Sequence, residues 1–436
     1  MTRLRVLYFA HGHPSVRPGG AEAYAHELYL AMRDQPGIDA ALVCRVGDGV
    51  HNPRSGTIFS LIGSDPGQYF VHTNGYHYDW VYGTVTDKEF LTRHIEGFVR
   101  AFDPDIIHFQ HTQFMGYDLI RAVHQAAPNA GIVYTLHEYL PICHRDGQLV
   151  RTVDDKPCME ASPQRCHECF PHIAPQTFFL RKRFIQSQMA MVDMFIAPSK
   201  FLRDRYVDWG LDPAKMRVEE YGRLPVSRRA ERPSRRFPDR FAFLGQLSKY
   251  KGVDLAVRAM GLLQEDGDET AAPIKGTRSA SRPKPHLYLH GANLDVQREE
   301  FQRELKELLD RATNVTLVGR FQSDQLPGIM SDIDWVVVPS IWWENSPLVI
   351  QEAFMYGRPV ICSDIGGMAE KVADGVNGLH FRAGNPRSLA DVLTRAAGNR
   401  ALWEKLASAP PPDYSMDHHA ATIRDLYTSL ASRVPA

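Results

Sequence analysis

Along this chain, apolar and polar positions change period repeatedly. Short runs rich in Val, Ile, Leu and Phe suit buried strands. Longer stretches with apolar residues three and four apart suit amphipathic helices. In the first half, Arg5–Ala10, Ala40–Val46, Asp105–Phe109, Gly131–Leu136 and Val192–Pro198 predict strands. Ala21–Arg33, Lys88–Ala101 and Tyr117–Ala127 predict helices, and a further helix starts at Ser199. A second set of strands follows at Phe241–Leu244, Leu287–His290, Val315–Val318, Trp335–Val338 and Val360–Cys362. Such alternation predicts doubly wound parallel sheets, which bind ligands outside the carboxyl ends of their strands. Tyr221–Asp239, rich in Pro and Arg and without periodicity, reads as a linker. The expected division is residues 1–222, residues 223–410 and a closing segment 411–436 with a helix over Met416–Ser432. Residues 265–285 are polar and aperiodic and are expected to be a disordered surface insertion.

Composition narrows the function classes. The 436 residues are enough for two domains of ordinary size. A net charge of −1 gives no electrostatic argument for nucleic acid. No apolar run reaches the length of about eighteen residues that a membrane-spanning helix needs. The opening MTRLRVLYFAHGHP is too short in its apolar core for a signal peptide, so a cytoplasmic location with reduced cysteines is expected.

The richest stretch runs from Pro339 to Asp374. Ser346-Pro347 reads as a helix start with Ser346 as the cap, LVIQEAFM as the helix, and Gly357-Arg358-Pro359 as its stop. Ile365-Gly366-Gly367 reads as a backbone turn that a ligand can approach. Glu344 precedes the helix and Glu352 lies within it. A helix start suits a phosphate or diphosphate, and carboxylates beside it suit sugar and ribose hydroxyls.

This stretch resembles the E-x7-E block of the retaining family-four glycosyltransferases. The resemblance covers nearly all of the chain outside the insertion. It implies the α/β GT-B fold, two Rossmann-like domains facing a cleft. It also implies transfer of a hexose from a nucleoside diphosphate sugar to an acceptor hydroxyl, with a glycan or lipid-linked glycan as the acceptor. Glu352 would hold ribose, and Glu344 with Gly366 and Gly367 would position the sugar. Gly19 and Gly20, after the first strand, match the family's first glycine loop, and His137 matches a T-x-H histidine that approaches the donor. Lys251 and Gly252 match a Lys-Gly pair that stabilises the leaving diphosphate. Gln246 stands where the family usually has arginine, and a glutamine supplies no charge. Lys249 is the expected compensation. Arg320 marks the loop that would hold the base, and Asn345, Ser346, Pro347 and Leu348 would line the diphosphate. The catalytic set is then His137, Lys251 and Glu344, and no catalytic metal is required. No side chain reads as a covalent nucleophile, which favours front-side attack. A nucleotide-sugar epimerase or a phosphorylase on the same architecture, and a degenerate sugar-nucleotide-binding protein, are the alternatives.

Three features stand outside that block. Cys143, Cys158, Cys166 and Cys169 form a dense cluster, with histidines interleaved, in a loop over residues 143–172. Structural zinc is the first reading, followed by reduced structural cysteines, an iron–sulfur cluster and disulfides. Cys44 and Cys362 read as buried apolar residues. His108 and His111 have metal-pair spacing but no evident third ligand, and are expected to be packing or acceptor-side residues. Phe178–Ile185 is basic and aromatic at helical spacing. It reads first as a packed helix with a solvated face, and second as a peripheral contact with the inner face of a membrane.

Overall fold

A computed structural model describes residues 3–16, 19–47, 57–86, 88–226, 237–269, 283–409 and 414–432. The chain forms two compact units, Met1–Pro225 with Tyr414–Ala436, and Val226–Asp413.

The strands of the first unit are β1 (Leu4–Ala10), β2 (Ile38–Val46), β3 (Phe59–Leu61), β4 (Gln68–His72), β5 (Tyr78–Asp79), β6 (Thr84–Val85), β7 (Ile106–Phe109), β8 (Gly131–Thr135), β9 (Met194–Ala197) and β10 (Met216–Val218). Eight of them form one sheet in the order β10-β9-β8-β7-β1-β2-β4-β3, and β5 and β6 make a separate pair. Only β3 runs antiparallel in the large sheet. The central strands β7 and β8 are buried along their whole length, as expected for a parallel sheet covered on both faces. Strand order reverses between β1 and β7, which are paired with Tyr8 beside His108.

The last helix, Met416–Ala431, belongs to this first unit and packs against the helix Gly20–Arg33. Its Tyr427 hydroxyl bonds Nδ1 of the fully buried His108, whose Nε2 meets Thr135 at 2.7 Å. His419 of the same helix meets the Tyr24 hydroxyl at 2.9 Å.

The second unit is a six-stranded parallel sheet of β11 (Arg240–Gln246), β12 (His286–Ala292), β13 (Val315–Gly319), β14 (Trp335–Val338), β15 (Val360–Ser363) and β16 (Gly378–Phe381). Their order is β13-β12-β11-β14-β15-β16, with the reversal between β11 and β14. Phe241, Phe243, Leu289, Trp335, Val337 and Ile361 from the sheet pack with Val257 and Met260 of the helix Val253–Glu269 and Leu389 and Leu393 of Pro386–Ala397.

One expectation changes. The helix from Val253 runs to Glu269, so Glu265–Glu269 extend it and do not open the insertion. Once a helix is packed, each added residue gains a backbone bond at little further cost. Of the rest of the expected insertion, residues 270–282 lie outside the described residues, as do the linker residues 227–236, whereas Lys284 N–H donates to the Asp239 carboxylate at 2.8 Å.

Candidate functional site

In the second unit, residues from both sides of the strand reversal converge. Lys251 lies in the turn after β11. Gly252 has φ +69, and a Cβ there would sit 1.9 Å from the Pro339 carbonyl oxygen, so the turn lies directly on the segment leaving β14. Ile341 N–H donates to the Tyr250 carbonyl at 2.9 Å and fixes the same contact. This docking brings Lys251 Nζ to 2.5 Å from Glu344 Oε1. The same oxygen accepts from Ser340 Oγ at 2.8 Å and Trp342 Nε1 at 2.9 Å. The Lys251 ammonium also lies 5.4 Å from the Trp342 ring centre. Glu344 is thus a buried carboxylate with a cation and two neutral donors on one oxygen. Sequence reading gave Lys251 and Glu344 separate tasks, but the fold makes them a pair.

The helix is LVIQEAFM, Leu348–Met355, as expected, but its cap position falls on Pro347, with φ −61 and ψ 118. Ser346 is therefore not the cap. Pro347 itself is extended, with ψ far from the helical value, so it takes the cap position and Ser346 falls one step outside it. Its hydroxyl instead accepts from Lys371 Nζ at 2.6 Å. No side chain caps the helix Leu348–Met355, so its first-turn N–H groups keep the character of an anion site. Glu352 is half-buried on that helix.

Gly366 and Gly367 do not form a free-standing turn. They open a short helix, Gly366–Lys371. Gly366 has φ +60, and a Cβ on Gly367 would meet the Asn345 carbonyl oxygen at 1.6 Å. Gly367 N–H donates to the Glu344 carbonyl at 2.8 Å. Glycine here lets one backbone lie on another. Asn345 is buried in this contact, whereas Gln246 and Lys249 are exposed. Arg320 is also exposed, beyond the edge strand β13 and two strands from β11, away from the Lys251–Glu344 pair.

In the first unit, polar groups gather after β1, β7 and β8. His11 Nε2 lies 3.0 Å from Glu22 Oε1, and His111 Nε2 lies 3.1 Å from Glu138 Oε1. The two imidazole rings are 4.4 Å apart. Gly19 precedes the helix Gly20–Arg33, and a Cβ on it would meet Glu22 Oε2 at 2.3 Å. The bare Gly19 backbone therefore lets Glu22 fold over toward His11. Gly20 is exposed beside it. His137 is half-buried, with Nδ1 2.6 Å from the Tyr221 hydroxyl and Nε2 3.0 Å from Gln110 Oε1. The amide oxygen only accepts, so Nε2 carries the proton and Nδ1 accepts from tyrosine.

Burial, reinforced by His111, His11 and His108, holds His137 well below the usual imidazole range. Burial and then His111 lower His11, against the opposing pull of Glu22. Burial alone would raise Glu22, but the bond and charge of His11 bring it below the ordinary carboxylate value. His108 is a packing residue, pushed down to about 3 by burial. The Glu22–His11 and His111–Glu138 pairs escaped sequence reading. Their only signal was a histidine one or two residues past a strand end, His11 after β1 and His111 after β7.

The four clustered cysteines carry free thiols. Cys166 and Cys169 lie one turn apart on the helix Pro163–Cys169, which Ser162 caps. Cys158 follows the Val150–Pro157 bridge, and its thiol donates to the Glu160 carbonyl at 3.2 Å. Burial, then the neighbouring thiols of Cys143, Cys158 and Cys169, push Cys166 up to about 12. Among the described residues, no three His, Cys, Asp or Glu side chains are arranged to hold a metal ion. Cys44 and Cys362 are buried in strands. In the helix Pro175–Met189, Arg181 is buried and donates to the carbonyls of Pro141 and Leu140 at 2.6 and 2.5 Å. It is a structural clasp and no part of a basic surface. Among the described residues, no helix is long and apolar enough to cross a membrane.

Comparison with known proteins places this architecture. Residues 228–409 match the family model for glycosyl transferases group 1, and residues 18–219 match that for glycosyltransferase family 4. The D-inositol 3-phosphate glycosyltransferase of Nocardia farcinica is 30% identical over 193 residues, 43% of this chain and 40% of that protein. The protein of the same name from Corynebacterium aurimucosum is 26% identical over 308 residues, 67% of this chain and 66% of its own. Several curated relatives are matched over only about half their length, as with 51% of the Salinispora tropica protein. Among solved structures, Anabaena HepE in complex with UDP and glucose superposes with a TM-score of 0.66 at 18% identity, covering 98% of this chain and 100% of that one. Sucrose-phosphate synthase from Thermosynechococcus elongatus gives 0.69 at 17% identity, covering 99% and 100%. At such identities the likeness speaks for the fold alone. The two family models divide nearly the whole chain between them, and the protein belongs to the family-four glycosyltransferases with the GT-B fold.

Proposed function

We propose that this protein transfers a hexosyl group from a nucleoside diphosphate sugar to an acceptor hydroxyl, with retention at the anomeric carbon. The observation that carries the reading is the Lys251–Glu344 pair beside the uncapped start of Leu348–Met355. A diphosphate meets backbone N–H groups and a lysine there, a preorganised environment for negative charge that grows as the sugar departs. Glu352, further along the helix, takes the ribose hydroxyls, and Glu344 fixes Lys251 and orients the sugar. No side chain is assigned as a covalent nucleophile. The acceptor oxygen bonds the anomeric carbon on the face from which the phosphate oxygen leaves, and the departing phosphate takes the acceptor's proton.

HepE has been solved with UDP and glucose, so UDP-sugars are the first donors to test. The acceptor is a polyhydroxylated molecule, either a glycan, a lipid-linked glycan or a polyol phosphate of the kind named for the curated relatives. A lipid-linked acceptor would bring a peripheral membrane contact, for which Phe179, Leu180 and Arg183 remain exposed once Arg181 is withdrawn.

The test is a thermal-shift panel of nucleoside diphosphates and their sugars, followed by turnover with the donor that binds. Stabilisation by one base series and transfer of its sugar support the reading, and stabilisation by none would sink it. Binding without turnover on any acceptor class would favour a sugar-nucleotide-binding protein, the second reading, which the uncharged Gln246 supports.

A further inference from the structure

We propose that Trp80 is the floor of a carbohydrate-binding site in the first unit and takes the apolar face of a pyranose ring of the acceptor. The inference rests on the transferase reading above and commits its acceptor to a glycan.

The chemistry of the surface makes the case. Trp80 keeps 47% of its surface exposed. Its ring centre lies 5.2 Å from those of Tyr78 and Phe114, at interplanar angles of 86° and 84°. Both contacts are edge to face, so neither neighbour lies flat on the indole. Arg45 covers the Phe114 ring from 4.1 Å. The indole is thus held by aromatic neighbours yet open to a ligand, an apolar plane with an N–H donor at its rim. Polar groups stand close by. His111 Nε2 meets Glu138 Oε1 at 3.1 Å, and the half-buried Glu138 is near enough to Tyr78 to act on it electrostatically. A pyranose needs both kinds of partner. Its ring C–H groups suit an aromatic plane, and its hydroxyls suit a carboxylate and an imidazole beside it.

The exposure of Trp80 is enforced by a braced loop. Between β5 and β6, Asp79 Oδ1 accepts from the N–H groups of Val81 and Tyr82 at 2.8 and 3.1 Å. The pair then docks on the 112–118 turn that leaves β7. Tyr117 N–H donates to the Gly83 carbonyl at 2.9 Å, and Thr84 Oγ1 donates to Asp118 Oδ1 at 2.6 Å. A Cβ on Gly83 would lie 2.6 Å from the Tyr117 ring. Phe114, in the same turn, takes φ +63, a left-handed backbone that a bulky residue rarely adopts. Strain of that kind gathers at ligand sites. The Tyr78 hydroxyl bonds the Phe114 backbone, and His144 of the cysteine-bearing loop bonds the Trp80 backbone. Arg45 Nε donates to Thr73 Oγ1 at 2.9 Å, just past β4. The indole therefore stands at the carboxyl ends of β2, β4 and β7, where parallel sheets bind ligands.

Saturation-transfer NMR on the full chain tests this. The probes are the methyl α-glycosides of glucose, galactose, mannose and N-acetylglucosamine, with glycerol 3-phosphate as the acyclic control. At least one glycoside should bind, with saturation strongest at the C–H groups of one ring face, and the control should not. Trp80→Ala should weaken that glycoside by about five- to thirtyfold and erase the preference for one face. Its melting temperature and its affinity for nucleoside diphosphates should match the wild type's. Trp80→Phe should recover most of the loss. If no glycoside binds the wild type, or Trp80→Ala binds it equally well, the role of Trp80 falls, while nucleotide binding still supports the transferase reading. If Trp80→Ala instead loses binding to phosphatidylglycerol vesicles and keeps the glycoside, Trp80 is a membrane contact and the proposal is overturned. If the glycoside binds through Trp80 but no nucleoside diphosphate binds, the transferase reading falls and the sugar site stands without it.

Discussion

Lys251 and Glu344, 93 residues apart in sequence, share an ion pair of 2.5 Å whose carboxylate is nearly buried. A lone carboxylate at that position would be costly, so removal of either partner strands the other.

The two residues should therefore behave as a unit. Lys251→Ala and Glu344→Ala should each lower transfer by about a hundred- to a thousandfold, and the double variant should be little worse than either. Glu344→Ala should also weaken the bare nucleotide, because Lys251 loses its anchor. Glu352→Ala should cost about 1.5–3 kcal/mol in nucleotide binding. Turnover and calorimetry on the four variants check this. Additive losses in the double variant would show that the pair does not act together.

Gly367 has no room for a side chain, since its Cβ would fall 1.6 Å from the Asn345 carbonyl oxygen. Gly367→Ala should destabilise the second unit by about 1–3 kcal/mol and reduce donor binding with it. Gly328, whose Cβ would meet nothing within 4 Å, is the control position. Thermal melts of Gly367→Ala and Gly328→Ala should differ clearly, and equal melts would contradict the close contact.

Buried neutral histidines give the first unit a predictable acid response. His108, His137 and His11 all lie below the usual imidazole value when folded. The unfolded chain then binds protons that the folded one refuses, so stability falls as pH drops below about 6.5. For His108 the loss continues toward its folded value of about 3. Melting temperature should fall between about pH 7 and about pH 5. His108→Gln should be less stable at neutral pH yet show a flatter acid slope. An unchanged slope would remove His108 from the account.

Zinc at Cys143, Cys158, Cys166 and Cys169 is a proposal that metal analysis can decide. The thiols share one neighbourhood, and thiolate ligation would release the protons that burial now holds on. Among the described residues, no three of the side chains are placed to hold a metal ion as they stand, so binding would require the thiols to close together. If they do, protein purified without chelator should carry about one zinc per chain, and Cys166→Ser should lose metal and stability together. Metal-free protein that melts like the wild type would leave these residues as reduced structural thiols.

Strand positions were legible because a buried parallel sheet writes continuous apolar runs, and Trp335–Val338 stands where the pattern puts it. The E-x7-E spacing was legible for the same local reason, since loop and helix are contiguous. What escaped was tertiary. Ser346 looked like a cap, but proline geometry and Lys371 claimed it. Arg181 looked like surface charge, yet it reaches two carbonyls about forty positions upstream. His11 and Glu22 carry no shared motif, and only the bare backbone at Gly19 lets them meet.

The helix Met416–Ala431 belongs to the unit begun by the first strand, with the whole of the other unit between them in sequence. During translation, the early strands would leave the ribosome well before the partner of His108 exists. His108 and Tyr427 are 319 residues apart, so at about 5–20 residues per second that wait lasts roughly fifteen to sixty-five seconds. Val226–Asp413, by contrast, has all of its strands in hand as soon as it is made. The order of maturation is therefore the reverse of the order of synthesis. The unit started first is the last to be finished, and until Tyr427 arrives it is the part of a nascent chain most open to chaperones and proteases.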